Sequence, residues 1–290
     1  MRPLLIAAAA ALLWIAAAAT QERTEFFIQL ADPQFGAFAQ KDDDFAQETT
    51  NYEFAVANVN RLRPAFVVVC GDLINKTGDK RQAAEYFRIT SKMDRAIPVH
   101  AVAGNHDVGN EPTPETLKAY RARFGPDYYS FRHGRIYGIV LDTSVISAPG
   151  KVQADAEAQE AWLKAELARA GASNARHVVI FQHHSWFIEK PDEPSEYFNV
   201  PIEARRRYLE LLKSSGVRYV FAGHYHRNAF GRDGTLEMIT SGPVGRPLGA
   251  DPSGLRIVTV KDDVLEHAYY GMGLIPHKFP IPLPASRSNP

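Results

Sequence analysis

The sequence predicts a mixed α/β fold in which two mixed β-sheets pack together between outer helices, as a four-layer α/β/β/α sandwich. Short apolar runs typical of buried strands alternate with helical patterns in the first half of the chain, which indicates parallel strands joined by right-handed crossovers. Two short connections, 133–135 and 261–263, have the length of hairpin turns and add antiparallel pairs. The predicted strands are too many for one flat sheet, so we expect two.

The predicted elements follow one another closely along the chain. Helical patterns cover 46–62, 80–95, 114–124, 153–170 and 202–215. Strand-like runs cover 26–31, 66–71, 99–104, 128–132, 136–141, 178–182, 219–223, 236–240, 255–260 and 264–270. The fourth helix has the clearest amphipathic pattern, with Trp162 on its apolar face and Gly171 as a stop signal.

Composition indicates one large globular domain. Of the 290 residues 45% are hydrophobic and 23% are charged, which excludes disordered and fibrous classes. Lys plus Arg and Asp plus Glu both number 33, and no polybasic run is present. We therefore expect no electrostatic capture of nucleic acid or of an acidic membrane surface.

The N-terminus resembles a secretory signal peptide over residues 1–20. Arg2 precedes an apolar stretch from 3 to 19, and small residues then lead into a polar segment. The alternative is an uncleaved membrane anchor, because the stretch is near the short limit for a span. Both interpretations place the domain, predicted at 21–275, outside the cytoplasm, either periplasmic or secreted. The Pro- and Ser-rich residues 276–290 are predicted to be a tail.

Cys70 is the only cysteine, so no intramolecular disulfide can form. It lies inside an apolar run and is expected to be a small buried hydrophobe. Cysteine phosphatases carry an arginine six residues after the nucleophile, where this chain has Lys76, and a histidine before it, where this chain has Val69. The sequence therefore argues against a cysteine nucleophile.

Five of the apolar runs end in side chains that bind metals. These side chains are Asp32 and Gln34; Asp72; Asn105, His106 and Asp107; His183 and His184; and His224 and His226. Ligands in open α/β sheets gather beyond the carboxyl ends of the strands, so we expect these groups to converge. A mixed set of nitrogen and oxygen donors suits zinc, manganese or iron better than calcium. The set exceeds what one tetrahedral ion needs and so predicts two divalent metal ions.

These strand ends resemble, in order, the five motif blocks of calcineurin-like metallophosphoesterases. The blocks are Asp32-Pro33-Gln34, Gly71-Asp72-Leu73-Ile74-Asn75, Gly104-Asn105-His106-Asp107, Gln182-His183 and Gly223-His224-Tyr225-His226. The resemblance spans about 26–226. Further segments at 35–36, 197–199, 223–228 and 249–254 look like the calcineurin-like phosphoesterase domain-containing 1 branch of that family.

The resemblance implies a role for each block residue. Asp72 would bridge the ions, with Asp32, Gln34 and His226 completing one shell and Asn105, His183 and His224 the other. A hydroxide held between the ions would attack phosphorus directly, without a phosphoenzyme. His106 would lie beside the leaving oxygen as an acid or hydrogen-bond donor.

Two positions depart from the family pattern. Gln34 replaces a histidine of many relatives, and its uncharged amide is a weaker ligand, so that ion would be held more loosely. Asn75 stands where other branches carry a carboxylate that orients the catalytic histidine, which makes Asn75 and Asp107 the two candidate orienters of His106. At the fourth block, side-chain alternation along the strand favours His183 over His184.

Substrate contacts are expected from the loops. The segment 186–207 mixes acidic and aromatic residues, and it is either a solvated surface loop or a rim or lid over the metals. Asn199 and Arg246 are candidate substrate-binding residues, since an arginine can bind phosphate bidentately. Arg246 could equally be a surface charge.

We therefore expect a metal-dependent phosphatase that hydrolyses phosphate monoesters. A phosphoprotein phosphatase-like activity, with a phosphorylated protein as the substrate, is one form that this function could take. A phosphodiesterase or nucleotide hydrolase is the alternative within this class. A non-catalytic metal- or phosphate-binding module is the alternative outside it.

Overall fold

The computed structural model describes residues 25–38 and 44–279. The predicted signal peptide at 1–20 and positions 280–290 of the predicted tail lie outside these residues. Within the described ranges, no helix combines the length and apolar character that crossing a membrane requires.

Eleven strands and seven α-helices make up the described fold. The strands are β1 (Phe26–Leu30), β2 (Val67–Val69), β3 (Val99–Ala101), β4 (Tyr129–His133), β5 (Ile136–Val140), β6 (His177–Phe181), β7 (Tyr219–Ala222), β8 (Ala229–Asp233), β9 (Leu236–Thr240), β10 (Gly254–Val260) and β11 (Leu265–Gly271). The helices are α1 (Ala46–Leu62), α2 (Lys80–Thr90), α3 (Asn105–Val108), α4 (Pro114–Phe124), α5 (Thr143–Ser147), α6 (Gln153–Gly171) and α7 (Ile202–Ser214).

Both sheets are mixed, as predicted. The first has the strand order β11-β10-β1-β2-β3 and the second β4-β5-β6-β7-β9-β8. Strands β1, β2 and β3 are parallel, while the hairpin β10–β11 pairs antiparallel with β1. In the second sheet β5, β6, β7 and β9 are parallel, and β4 and β8 are antiparallel edge strands. The two α/β sheets with flanking helices confirm the predicted fold class.

Most predicted elements are present with small shifts of their ends. The helices predicted at 46–62 and 114–124 have those bounds, whereas the one predicted at 80–95 ends at Thr90. Strand β8 and the short helices α3 and α5 were not predicted. Helix starts follow side-chain capping, since Asp79, Thr113 and Asp142 each accept backbone N–H groups at the first turns of α2, α4 and α5.

Three apolar clusters fill the three interfaces between the four layers. One joins the first sheet to α1, α2 and α4, another joins the second sheet to α6 and α7, and the third lies between the sheets. Strand β1 contributes to two of these clusters because its side chains point alternately to the two faces of the sheet. Phe26 and Ile28 face the helices, while Phe27 faces the second sheet. The ring of Phe27 stacks on Phe66 at 4.7 Å between centroids and meets Phe181 of the second sheet edge-on at 5.7 Å.

We predict that Phe27→Ala destabilises the protein by about 3–5 kcal/mol, because it opens a cavity between the sheets. Urea unfolding followed by circular dichroism measures the change. Phe54→Ala is the matched control, since Phe54 is 47% exposed on α1 and its loss should cost about 0.5 kcal/mol or less. Equal losses in the two variants would contradict the assigned inter-sheet core.

Candidate metal centre

The predicted metal-binding residues of both sheets meet at one edge. Asp32 follows β1, Asp72 follows β2, Asn105 begins α3 after β3, His183 follows β6, and His224 and His226 follow β7. All of these residues are buried. The structure therefore brings together groups that lie as far as 194 positions apart in the chain, between Asp32 and His226.

The ligand atoms form two groups that share one carboxylate. Asp72, His183 and His224 make one group, and Asp32, Asp72 and His226 make the other, with ligand atoms within 4.8 Å of one another in each. Within these groups His183 Nε2 lies 3.3 Å from Asp72 Oδ1, and His226 Nε2 lies 3.5 Å from Asp32 Oδ1. The shared position of Asp72 is the one expected of a bridging ligand.

Main-chain carbonyls fix the tautomer of each imidazole. Nδ1 of His183 bonds to the carbonyl of Cys70, Nε2 of His224 to that of Tyr197, and Nδ1 of His226 to that of Arg246. Since a carbonyl only accepts, each of these nitrogens carries a hydrogen, which leaves the other nitrogen of the ring as the one that binds a metal ion or a further proton. The free Nε2 of His183 lies 2.9 Å from Asn105 Oδ1, which is also an acceptor. Two facing acceptors at this distance need a cation or a proton, so the donor set fits divalent metal ions.

The charges in this cluster shift pKa values strongly. Burial disfavours the protonated form of His183, but the carboxylates of Asp72 and Asp32 outweigh it and raise the pKa of His183 to about 9. Burial opposes the charge of Asp72, yet the surrounding imidazoles, His183 first, hold the pKa of that carboxyl well below its usual range. Burial and the neighbouring His183 lower the pKa of His224 to about 3. His183 therefore carries a proton where a bound ion would otherwise supply positive charge.

Left-handed backbone conformations concentrate at this edge. Among the described residues, six non-glycine residues have positive φ, and Asp32, Gln34, Asp72, His224 and His226 are five of them. Such conformations cost about 1–2 kcal/mol per residue, so their clustering marks a functional site.

Two glycines of the motifs allow close chain approach rather than an unusual turn. A Cβ atom on Gly104 would collide with the backbone nitrogen and Oδ1 of Asp72. On Gly223 it would lie 2.5 Å from Asp32 Oδ2 and 2.7 Å from the carbonyl of Cys70. Any larger side chain at either position would displace a predicted ligand.

A cavity of about 180 Å³ opens onto these ligands. Its walls include Gln34, Asn75, His106 and Arg246, so these predicted site residues lie together. The Arg246 guanidinium donates to the carbonyl of Ala37 at 2.9 Å. We call this cavity the metal pocket.

The group that orients His106 differs from both expected side chains. Its Nδ1 lies 2.6 Å from the main-chain carbonyl of Asn75, not from the side-chain amide. Asp107 is buried in a structural role, because its carboxylate accepts N–H groups from Leu73, Ile74 and Gly104. The motif spacing could not show this, since it identifies side chains and not main-chain carbonyls.

Asn199 does not line the metal pocket. Its amide donates to Glu193 Oε1 at 2.8 Å and to the carbonyl of Pro194 at 3.0 Å, and its Oδ1 accepts the N–H of Glu196. These hydrogen bonds stabilise the loop between β6 and α7. The Asn199 side chain therefore has a structural role in the loop beside the metal pocket.

Tyr197 is a functional residue that sequence reasoning missed. Its carbonyl holds Nε2 of His224 at 2.8 Å, and its hydroxyl accepts from Asn105 Nδ2 at 3.2 Å. Asn110 Oδ1 accepts the other amide hydrogen of Asn105 at 2.8 Å, which turns Asn105 Oδ1 toward His183. The only signal for Tyr197 was its membership in a branch-specific motif.

Comparison with known proteins identifies the family. A family model described as calcineurin-like phosphoesterase matches residues 27–228. The chain belongs to the calcineurin-like phosphoesterase family. The human protein named serine/threonine-protein phosphatase CPPED1 is 38% identical to this chain, with 87% of this chain and 85% of the human protein covered.

Two solved structures share the fold of this calcineurin-like phosphoesterase. A dimetal phosphatase from Danio rerio superposes with a TM-score of 0.62 at 18% identity, covering 86% of this chain and 96% of that one. A purple acid phosphatase from seeds of yellow lupin (Lupinus luteus) gives 0.65 at 14% identity, covering 87% and 52%. Family and ligand set together make the protein a metal-dependent phosphatase with two divalent ions as cofactors.

We predict that the metal-free protein loses stability as pH rises from about 6.5 toward 9. The pKa of His183 is raised to about 9 in the folded state, against about 6.5 when unfolded. The stabilisation is therefore complete below pH about 6.5 and is lost through pH about 9, at up to about 1.4 kcal/mol per pH unit. Urea unfolding of chelator-treated protein at several pH values measures this slope.

Bound metal ions should flatten the same slope, because they take the place of the proton on His183. The stabilisation produced by added Mn²⁺ or Zn²⁺ should thus increase with pH over that window. His183→Asn should remove most of the difference between metal-free and metal-loaded slopes. If the stability of the unsubstituted protein changed with pH in the same way with and without metal, His183 would not be a metal ligand.

Proposed function

We propose that the protein is an exported phosphomonoesterase that removes phosphate from serine or threonine side chains of proteins. The observation that carries the proposal is the metal pocket, where two buried ligand groups sharing Asp72 adjoin His106. The printed name of the human relative supports a phosphoserine or phosphothreonine substrate. Export is proposed from the signal-like segment 1–20.

The size of the metal pocket favours a phosphoryl group that projects from a larger partner. Its volume of about 180 Å³ is below the roughly 300–1,000 Å³ of pockets that enclose whole small ligands. A phosphoryl group fits this space, whereas the remainder of any larger substrate would lie outside the metal pocket. The support for a phosphorylated side chain over a nucleotide is the printed name of the human relative.

Asp72 is proposed to hold both ions, with Asp32, Gln34 and His226 on one side and Asn105, His183 and His224 on the other. Divalent ions bound there lower the pKa of coordinated water and neutralise phosphoryl oxygens. Because carbonyls hold the imidazoles in fixed orientations, the ligand nitrogens would need no rotation to bind the ions, although His183 would first lose its proton. Arg246 rims the same pocket and is proposed to contact the substrate phosphoryl group.

His106 is proposed to protonate the leaving oxygen. The bond from Nδ1 to the carbonyl of Asn75 keeps a hydrogen on Nδ1 in both charge states. Nε2 is therefore the atom that gains or loses a proton, and His106 lines the metal pocket. In the imidazolium state Nε2–H donates to the serine or threonine oxygen as its bond to phosphorus breaks.

Phosphate release from three substrates tests the function. The full chain loaded with Mn²⁺ or Zn²⁺ is assayed with p-nitrophenyl phosphate, bis-p-nitrophenyl phosphate and a phosphoserine peptide. We expect turnover of the monoester and the peptide and little of the diester. Faster diester cleavage would support a phosphodiesterase instead. Absence of turnover with two ions bound would indicate a metal- or phosphate-binding module.

We predict that His106→Ala lowers kcat on the phosphoserine peptide by about 10²–10⁴, the usual contribution of a positioned acid. Metal content measured by mass spectrometry should stay at the unsubstituted level, because no ligand atom is removed. His277→Ala, at an exposed position away from the metal pocket, is the control and should retain activity. Loss of metal from His106→Ala would reassign His106 to a ligand role.

A further inference from the structure

A second cavity of about 360 Å³ opens beside the metal pocket. Phe198 lines both cavities and so forms their common wall. Tyr225, which stands between His224 and His226 in the chain, lines the second cavity as well. A substrate whose phosphoryl group occupies the metal pocket therefore has room to extend past Phe198 into this space. We call it the flanking cavity.

The flanking cavity has an aromatic wall. The ring of Phe198 meets that of Tyr225 edge-on, with 5.1 Å between centroids. Arg227, the one basic residue among those that line the cavity, is already engaged there. Its guanidinium lies 5.0 Å from the Tyr225 ring centre and donates to the carbonyl of Leu248 and to the Tyr225 hydroxyl. The positive charge of Arg227 is thus already engaged by the Tyr225 ring and by the Leu248 carbonyl.

Three carboxylates line the flanking cavity, and their situations differ. Glu193 is used to build the loop, because it accepts the N–H groups of Ile188, Glu189 and Lys190 and the amide of Asn199. Glu189 and Glu196 are exposed, and no hydrogen bond or ion pair from the described part of the chain engages either carboxylate. These two groups remain available to a ligand.

We propose that the flanking cavity binds a lysine or arginine side chain of the substrate, close in sequence to the phosphorylated residue. The aromatic wall packs against the apolar stem of a lysine or arginine side chain, and a ring face attracts its cationic group. The carboxylates of Glu189 and Glu196 attract the same positive charge. Acidic side chains outnumber the basic one, so an acidic neighbour is repelled. The inference rests on the proposed phosphoprotein substrate and deepens it to phosphosites with basic neighbours.

Paired phosphopeptides test the proposal with the full metal-loaded chain. Phosphoserine peptides that differ only by Arg, Ala or Glu at one of the three positions on either side of phosphoserine are compared by kcat/KM. At one or two positions we expect kcat/KM of the Arg peptide to exceed that of the Ala peptide by about ten-fold. A cation–π contact together with a screened ion pair produces a difference of this size. Glu should rank below Ala, and the Arg advantage should shrink at high salt.

Charge substitutions identify the cavity that produces the preference. In the double variant Glu189→Gln, Glu196→Gln, the ratio of kcat/KM for the Arg peptide to that for the Ala peptide should fall toward one. In the double variant Glu189→Lys, Glu196→Lys, kcat/KM should be higher for the Glu peptide than for the Arg peptide. Asp192→Asn is the matched control, because Asp192 is an exposed carboxylate of the same loop that does not line the cavity. It should keep both the preference and the activity on p-nitrophenyl phosphate.

The outcomes separate this inference from the proposed function. Hydrolysis of all peptides without an Arg preference overturns the flanking-cavity proposal and leaves the function intact. An Arg preference that survives both double variants also overturns it. Turnover of p-nitrophenyl phosphate without turnover of any peptide contradicts the phosphoprotein function itself. A preference lost in the Gln variant and kept in Asp192→Asn supports the proposal.

Discussion

The buried carboxylates of Asp32 and Asp72 are the constraint on which the rest of this structure depends. Buried carboxylates are costly unless positive charge compensates them. Here they raise the pKa values of both His183 and His226, and two metal ions would supply positive charge in place of protons on these imidazoles. Bringing the carboxylates together also requires left-handed backbone at several ligands and glycine at 104 and 223. Metal binding therefore offsets both electrostatic and conformational costs, which couples the metal centre to the stability of the strand ends.

The loop between β6 and α7 is held in shape by internal hydrogen bonds, although residues 189, 190, 192 and 194–197 within it are exposed. Arg205 is fully buried and donates to the carbonyls of Pro191, Glu193 and Val200. Glu193 accepts three successive backbone N–H groups in the same loop. A loop with this many internal bonds holds Tyr197 and Phe198 in fixed positions against His224. A rim that is preformed in this way lowers the ordering cost of binding.

The fold and the convergence of the candidate ligands were largely predictable from sequence, because the strands have a periodic pattern and the ligands lie in motifs. Apolar runs identified the strands of the two sheet centres, and polar residues at their ends identified Asp32, Asp72, His183, His224 and His226. Strand β8 (Ala229–Asp233) gave no such signal, since it is an edge strand with exposed Phe230. The orienter of His106 and the role of Tyr197 were unpredictable for another reason. Both depend on main-chain carbonyls, whose direction is set by tertiary structure.

Those carbonyls also separate the positioning of the histidines from the side chains at the rim. Tyr197 and Arg246 each hold a ligand imidazole through the main chain while their side chains line the metal pocket. Asn75 holds His106 in the same way. Because a main-chain contact survives a change of side chain, the rim can vary without altering the tautomers of the histidines. Tyr197 departs from this separation at one point, since its hydroxyl also fixes Asn105. Of the three rim positions, Tyr197 is therefore the one whose side chain both lines the metal pocket and bonds to a candidate metal ligand.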